Sequence, residues 1–352
     1  MKQLLVLLCM SLWALAAWSA NAVETRDITE PRGEAGQTGR LETITLATQD
    51  LDPVRLFYQD GLGLTLEGPL ELPPDSIAKQ RKLWRAPPEL QWQQYRLSRP
   101  GTPDAAQIRV LLLAQPTPSQ HQSWDSLQLG PFAIGFPNVA QDMLDKRMRR
   151  LGFGAQAPMQ SYPVTRPDQS QYRVHETIFN GPDFVKAVGI ERADPMPPLA
   201  PVDPESKLGG PGYSSVVVED SDAMVDFFTK VLDFEVRADR VWKTSGALGA
   251  PAGTEYRFLL LYAKGSGSGH ILMLDYQGIA AIDSGREPRL PNRGIVMWSF
   301  KTTALDATLK KAKAAKREVI GPLALELPGL GTRRAGTVIA PNGMLIELIE
   351  GL

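Results

Sequence analysis

The sequence predicts an α+β protein made of four βαβββ modules paired into two domains. Three observations predict it. Asp50 to Leu64 (DLDPVRLFYQDGLGL) and Asp220 to Phe234 (DSDAMVDFFTKVLDF) match at a constant offset, pairing Asp50 with Asp220, Phe57 with Phe227, Tyr58 with Phe228 and Leu62 with Leu232. Four times, a period-two apolar pattern gives way to a helical one and then to further strand patterns. Residues 193–212 are dense in proline and glycine and lack periodicity, which marks a linker halfway along the chain. A chain of 352 residues suits two such domains.

The first 22 residues are read apart from the fold. Lys2 is a basic start, Leu4 to Trp18 an apolar stretch, and Ala20-Asn21-Ala22 a small-x-small cleavage site. The apolar stretch is shorter than the ~20 residues that span a bilayer, so cleavage after Ala22 is expected in preference to a retained anchor. The protein is then periplasmic or secreted, with no stable membrane insertion. Cys9 is the only cysteine, so the mature chain has neither disulfide nor thiolate chemistry. Net charge is −1, or −2 without Lys2, and no strongly basic face points to nucleic acid. Residues 23–39 are polar and Gly-rich and read as a flexible arm.

Module pair 1–2 is expected over residues 40–192. Leu41 to Ala47 alternates as a strand, Asp50 is placed to cap a helix, and Pro53 fits its first turn. Leu51, Val54, Phe57 and Tyr58 share one helical face. Strands follow at Tyr95–Leu97 and Ile108–Leu113. The second module has a strand at Phe132–Phe136, a helix over Val139–Leu151 ending at Gly152, and a strand pair within Tyr172–Ile190 that turns at Asn180.

Module pair 3–4 is expected over residues 213–352. Ser214–Val218 is a strand and Ala223–Leu232 a helix. Tyr256–Tyr262 and His270–Tyr276 are strands flanking a flexible loop, Gly265 to Gly269. The last module has a strand at Met297–Phe300, a lysine-rich helix over Leu305–Lys316 and a closing turn and strand over Val338–Ile349. One module cannot cover its own sheet face, so pairs should close around a cleft.

Phe57 to Leu64, Phe227 to Phe234 and the closing Ala340-Pro341-Asn342-Gly343-Met344-Leu345-Ile346-Glu347-Leu348 resemble the helix end and final hairpin of the vicinal oxygen chelate superfamily. That superfamily includes glyoxalase I, bleomycin-resistance proteins and extradiol dioxygenases. The resemblance implies two domains of that kind, each with a ligand cleft. It also implies metal ligands on the first and last strands of paired modules. Matched by position, modules three and four offer Tyr213, Met273, Met297 and Glu347, of which only Glu347 suits a hard divalent ion. Modules one and two offer Thr43, Val110, Pro131 and Val188, none of them a ligand. No metal or other cofactor is therefore expected.

A carboxylate on an inner strand face is costly unless paired, so Glu347 is the leading candidate for ligand contact or catalysis, with a structural ion pair as the plain alternative. Tyr213 is a candidate phenol partner. His270 opens a strand after the glycine loop and is a candidate acid or base at the cleft rim. His175 and Glu176 are adjacent on a strand and must face opposite ways. His121, in a polar stretch, is expected to be solvated. Trp84, Trp92 and Tyr95 could line a planar ligand or simply pack. The Lys310 to Arg317 face reads as solvated surface.

The functional expectation is a binder of a small apolar or aromatic molecule, held between modules three and four by Tyr213, Met273, Met297 and Glu347. The alternative is a metal-dependent lyase, isomerase or extradiol-dioxygenase-like enzyme with a divergent site. A third reading makes the fold a scaffold for a protein partner.

Overall fold

The structure, a computed structural model, describes residues 27–125, 127–166, 169–244, 246 and 250–351. The leader read over residues 1–22, with Cys9, lies outside the described residues.

Module one comprises β1 (Thr38–Thr48), α1 (Leu51–Val54), β2 (Thr65–Glu67), α2 (Pro74–Leu83), β3 (Trp92–Ser98) and β4 (Gln107–Leu113). Module two comprises β5 (Gly130–Asn138), α3 (Gln141–Arg150), β6 (Gln160–Thr165), β7 (Gln171–Asn180) and β8 (Lys186–Arg192). Module three has β9 (Tyr213–Val217), α4 (Ser221–Asp226), β10 (Phe234–Lys243), β11 (Glu255–Ala263) and β12 (His270–Tyr276). Module four has β13 (Gly294–Thr302), α5 (Leu305–Ala314), β14 (Val319–Leu327), β15 (Gly331–Ile339) and β16 (Leu345–Glu350).

The repeat read from the sequence is a structural repeat. The Asp50 and Asp220 carboxylates cap α1 and α4 by accepting from the backbone N–H groups of Asp52 and Ala223. Both helices then widen into a π-turn, over Arg55–Gly61 and Phe227–Val231. There the Leu62 and Leu232 amides reach back to the Phe57 and Phe227 carbonyls. The helix α2 was not anticipated. Its signals are faint: Pro74 at the start, Asp75 in the first turn, Arg81 and Lys82 in the last.

Among the described residues, sixteen strands form two eight-stranded sheets. Sheet one runs β14-β15-β16-β13-β1-β4-β3-β2 and sheet two β10-β11-β12-β9-β5-β8-β7-β6. The modular α+β reading holds, but the pairing does not. Module one shares a sheet with module four, and module two with module three. In each module the last strand runs parallel to the first and covers one of its edges. The other edge stays open and must find a second module. Patterning makes the four first strands interchangeable, so side-chain fit decides the choice. Gly135 on β5 lies opposite Tyr213 on β9. A Cβ at residue 135 would lie 2.0 Å from the Tyr213 ring, so that ring can cross only a glycine.

The stretch 193–212 therefore joins two modules of one sheet and does not separate domains. It is pinned there, with the Gly209 and Gly212 amides donating to the Pro137 and Gly135 carbonyls at 2.8 Å each.

The arm read over residues 23–39 as flexible is held in place from Asp27 on, and residues 23–26 lie outside the described residues. Residues 27–37 are held against the Gly265–Gly269 loop, which is a seat and not a free tether. The Gly265 amide donates to the Arg32 carbonyl at 3.1 Å, and the Gly36 amide to the Lys264 carbonyl at 3.2 Å. A Cβ on Gly267 would lie 2.2 Å from the Thr29 carbonyl oxygen, so the loop needs glycine for this close approach.

Three apolar layers result. The helix-facing sides of both sheets share one core, including Ile44, Phe57, Phe228, Met273 and Phe300. Each concave face has its own cluster.

Candidate functional site

The two concave faces differ in what fills them. On sheet one, α2 brings Leu83 and Trp84 into an apolar cluster with Leu111, Met297 and Leu345. Glu347 lies fully buried at its base. Its carboxylate accepts from the Trp84 indole Nε1 at 2.8 Å, the Arg109 guanidinium at 3.0 Å and the Ser299 hydroxyl at 2.7 Å. The Arg109 guanidinium also lies 5.0 Å from the Trp84 ring centroid. Charge and hydrogen-bonding capacity at Glu347 are thus met inside the protein. Only about 20 Å³ remains open beside Thr43, Gln107 and Arg109.

On sheet two the concave face encloses a cavity of about 370 Å³. Seven strands contribute to its wall, and the arm and Leu199 complete it. Tyr162, Tyr213, Trp242, Phe258, Leu260 and Leu272 make it largely aromatic and apolar. That volume and lining are those of a small-molecule site. A groove of about 650 Å³ lies between the Glu219–Asp220 turn, the Asp283–Pro288 stretch and the Pro341–Gly343 turn. Its walls are charged turns and not the concave face of a sheet, so the smaller cavity is the better-formed site.

Polar groups enter this cavity at few points. Glu176, on β7, lies deep in the protein and keeps accessible surface toward the cavity. Burial pushes its carboxyl up to about 7, partly offset by the Tyr162 hydroxyl, which donates from 3.4 Å. Burial also drives Tyr162 and Tyr213 well above the usual phenol range, with the Glu176 charge adding to both shifts. His270 is clamped between the Tyr213 and Tyr262 rings, with centroids 4.7 and 4.5 Å away. Burial and the nearby Arg237 charge lower it to about 3, so it is neutral at ordinary pH, and its Nδ1 has no partner. The buried guanidiniums are engaged elsewhere. Arg192 pairs with Asp27, and Arg237 donates to Glu235 at 2.7 Å and to the Ile28 carbonyl at 2.7 Å.

The four residues expected to line one cleft do not meet. Tyr213 lines the cavity of sheet two; Met297 and Glu347 lie on the filled face of sheet one; Met273 lies in the helix-facing core. His270 is a buried part of the cavity wall and not a rim residue. His121 is also buried, not solvated: it bonds the Leu129 carbonyl at 3.2 Å, and burial lowers it to about 4. Glu176 and His175 do face opposite ways, Glu176 inward. Trp84 and Trp92 pack against each other, 5.9 Å between centroids. Lys310, Lys311, Lys313 and Lys316 are exposed, as read.

The sequence reading missed Arg109. It placed Val110 on the concave side, but Val110 belongs to the helix-facing core. A one-residue phase error on a strand inverts every side chain. The register shows the true phase: Thr45 pairs with Arg109, and the core residue Leu46 with Val110.

The side chains do not fit the divalent metal that the resemblance implies. Of the positions first matched, only Tyr213 and Glu347 carry an oxygen donor of the kind a metal takes from a concave face, and they lie on different sheets. The first and last strands of each module pair Thr45 with Arg109 and Ser299 with Glu347 in sheet one, where the guanidinium itself supplies the positive charge, and Gly135 with Val188 and Tyr213 with His270 in sheet two, with one nitrogen donor among them. Among the described residues no three His, Cys, Asp or Glu gather as a metal site.

Residues 210–348 match the family model of the Glyoxalase/Bleomycin resistance protein/Dioxygenase superfamily. No curated protein matches the chain at a significant level. Among solved structures, glyoxalase I from Zea mays aligns with TM-score 0.57 at 15% identity, over 88% of this chain and 92% of its own. A mutant of the same enzyme aligns at 0.58 and 14%, over 89% and 94%. A Bacillus subtilis subsp. subtilis str. 168 protein provisionally named a dioxygenase aligns at 0.50 and 15%, over 90% and 86%. At such identities the likeness is one of fold. It covers all four modules and so extends beyond the residues that the family model matches.

Proposed function

From a chain whose residues 210–348 match the glyoxalase/bleomycin-resistance/dioxygenase superfamily and which carries the superfamily's fold throughout, we propose an exported protein that binds a small apolar or aromatic molecule without a divalent metal. The observation that carries this reading is the contrast between the two concave faces. One is filled by α2 and Trp84; the other keeps an aromatic-lined cavity of about 370 Å³. The binding site is thus the cleft of modules two and three. Export is supported by Lys2, the apolar Leu4–Trp18 stretch and the Ala20-Asn21-Ala22 site. Metal independence is supported by the donor set described above.

The test is a thermal-shift and calorimetric screen of planar aromatic molecules against the wild type and Ala238→Trp, which fills the cavity from β10. Saturable binding that the variant abolishes supports the reading. Binding that survives the filled cavity overturns it. Elemental analysis accompanies the screen, and stoichiometric metal would overturn the metal-free part.

One observation favours a second, enzymatic reading. Glu176, with a carboxyl near 7 in a largely apolar cavity, has the properties of a general base. Turnover lost in Glu176→Gln with binding retained would identify that role.

A further inference from the structure

We infer that the ligand of this cavity carries a hydrogen-bond donor on its aromatic ring, a phenolic O–H or a ring-attached N–H, which it presents to Glu176. The inference rests on the proposed binding role and narrows the chemical class of ligand. It starts from unfilled acceptor capacity. An ionised carboxylate offers about four lone-pair positions. Among the described residues Glu176 has one donor near it, the Tyr162 hydroxyl at 3.4 Å, longer than an ordinary O–H···O bond. No arginine or lysine pairs with it among the described residues, although five arginines line the cavity. Arg192 is taken by Asp27 and the Pro197 carbonyl, and Arg237 by Glu235 and the Ile28 and Ser266 carbonyls.

The contrast with Glu347 sharpens the argument. Both are carboxylates on the concave face of an eight-stranded sheet. Glu347 has three donors from its own chain, whereas Glu176 has one long contact and open space in front of it. An acceptor left this way in an apolar cavity is costly unless something in the cavity donates to it. The surrounding groups limit what that is. Tyr162 on β6, Tyr213 on β9 and Tyr256 on β11 lie within electrostatic reach of Glu176, while Ile190 and Val174 line the cavity on either side. Such a site favours a flat ring whose edge ends in a donor.

The test compares 2-naphthol with 2-methoxynaphthalene by calorimetry on the whole mature protein. The two probes share a ring system and differ in the donor. The expected result is at least tenfold tighter binding of 2-naphthol, the scale of one hydrogen bond to a charged acceptor. In Glu176→Leu both probes should bind alike. Glu176→Gln, which keeps the shape should Leu unfold the protein, should cut the preference at least severalfold. The preference should also grow from pH 6 to pH 8, as the carboxyl ionises. The other titrating groups of the wall move away from that range: His270 and Asp27 downward, Tyr162 and Tyr213 upward. Equal binding in the wild type overturns this inference and leaves the binding role intact. A preference that persists undiminished in both Glu176 variants also overturns it, because the donor then goes elsewhere. If neither probe binds and the wider aromatic screen is also empty, the binding role falls and the inference with it.

Discussion

Trp84 donates its indole N–H to the Glu347 carboxylate across 2.8 Å, joining a helix of module one to the last strand of module four. This contact marks the difference between the two concave faces. It plugs the concave face of sheet one with the protein's own side chains. Among the described residues, the equivalent face of sheet two has no such plug.

Glu347 should therefore matter for stability and not for binding. Arg109→Ala leaves its buried carboxylate without its cation and should cost about 3–5 kcal/mol in urea denaturation. Arg109→Met combined with Glu347→Gln should cost much less than the sum of the single changes. Affinity for an aromatic ligand should stay within about twofold of wild type in folded variants. A large loss of affinity would return Glu347 to the binding site.

Glu176 should behave in the opposite way. Its folded carboxyl is raised to about 7 from 4.5, so the native state binds its proton more tightly than the unfolded chain. Its cost is absent below about 4.5, grows as pH rises toward 7 and is complete above that. Glu176→Gln should raise the melting temperature at pH 8, by the equivalent of at most about 3 kcal/mol, and change little at pH 4. A uniform shift at both pH values would show that Glu176 is not held in this state.

The β5–β9 junction depends on Gly135. Gly135→Ala should cost roughly 1–3 kcal/mol or more, because the added Cβ would overlap the Tyr213 ring. Tyr213→Ala in the same protein should recover part of that loss by removing the clash. Denaturation of the single and double variants measures it.

The arm over the cavity is held at Asp27. Burial opposes ionisation there, but hydrogen bonds from Arg192 and Thr29 outweigh it and hold the carboxyl at about 2. The stability it adds is present above about pH 4 and lost as pH falls through 2. Asp27→Asn or Gly267→Val should speed hydrogen exchange in residues 27–37 at neutral pH. Unchanged exchange in both variants would show that the arm is held by other contacts.

Local features were legible in the chain. Asp50 announced its cap, because capping is decided within three residues. The strands at His270–Tyr276 and the Asn180 turn were read from alternation and turn chemistry. Arg109 was lost to a one-residue phase error on β4, where the apolar run Val110-Leu111-Leu112-Leu113 leaves little alternation to read. His270 and His121 were judged by their polar or glycine-rich neighbours in sequence, which do not reveal what packs on them from afar.

The sequence by itself determined the number of modules and their internal order, since both rest on periodicity and short motifs within one segment. Tertiary structure alone decided which modules share a sheet, which concave face is filled and which carboxylate faces open space. Those outcomes depend on residues brought together from far apart: Gly135 with Tyr213, Trp84 with Glu347, Thr29 with Gly267. Each is a matter of a ring, a donor or a carbonyl fitting where another residue would clash or go unpaired, and no local pattern encodes it.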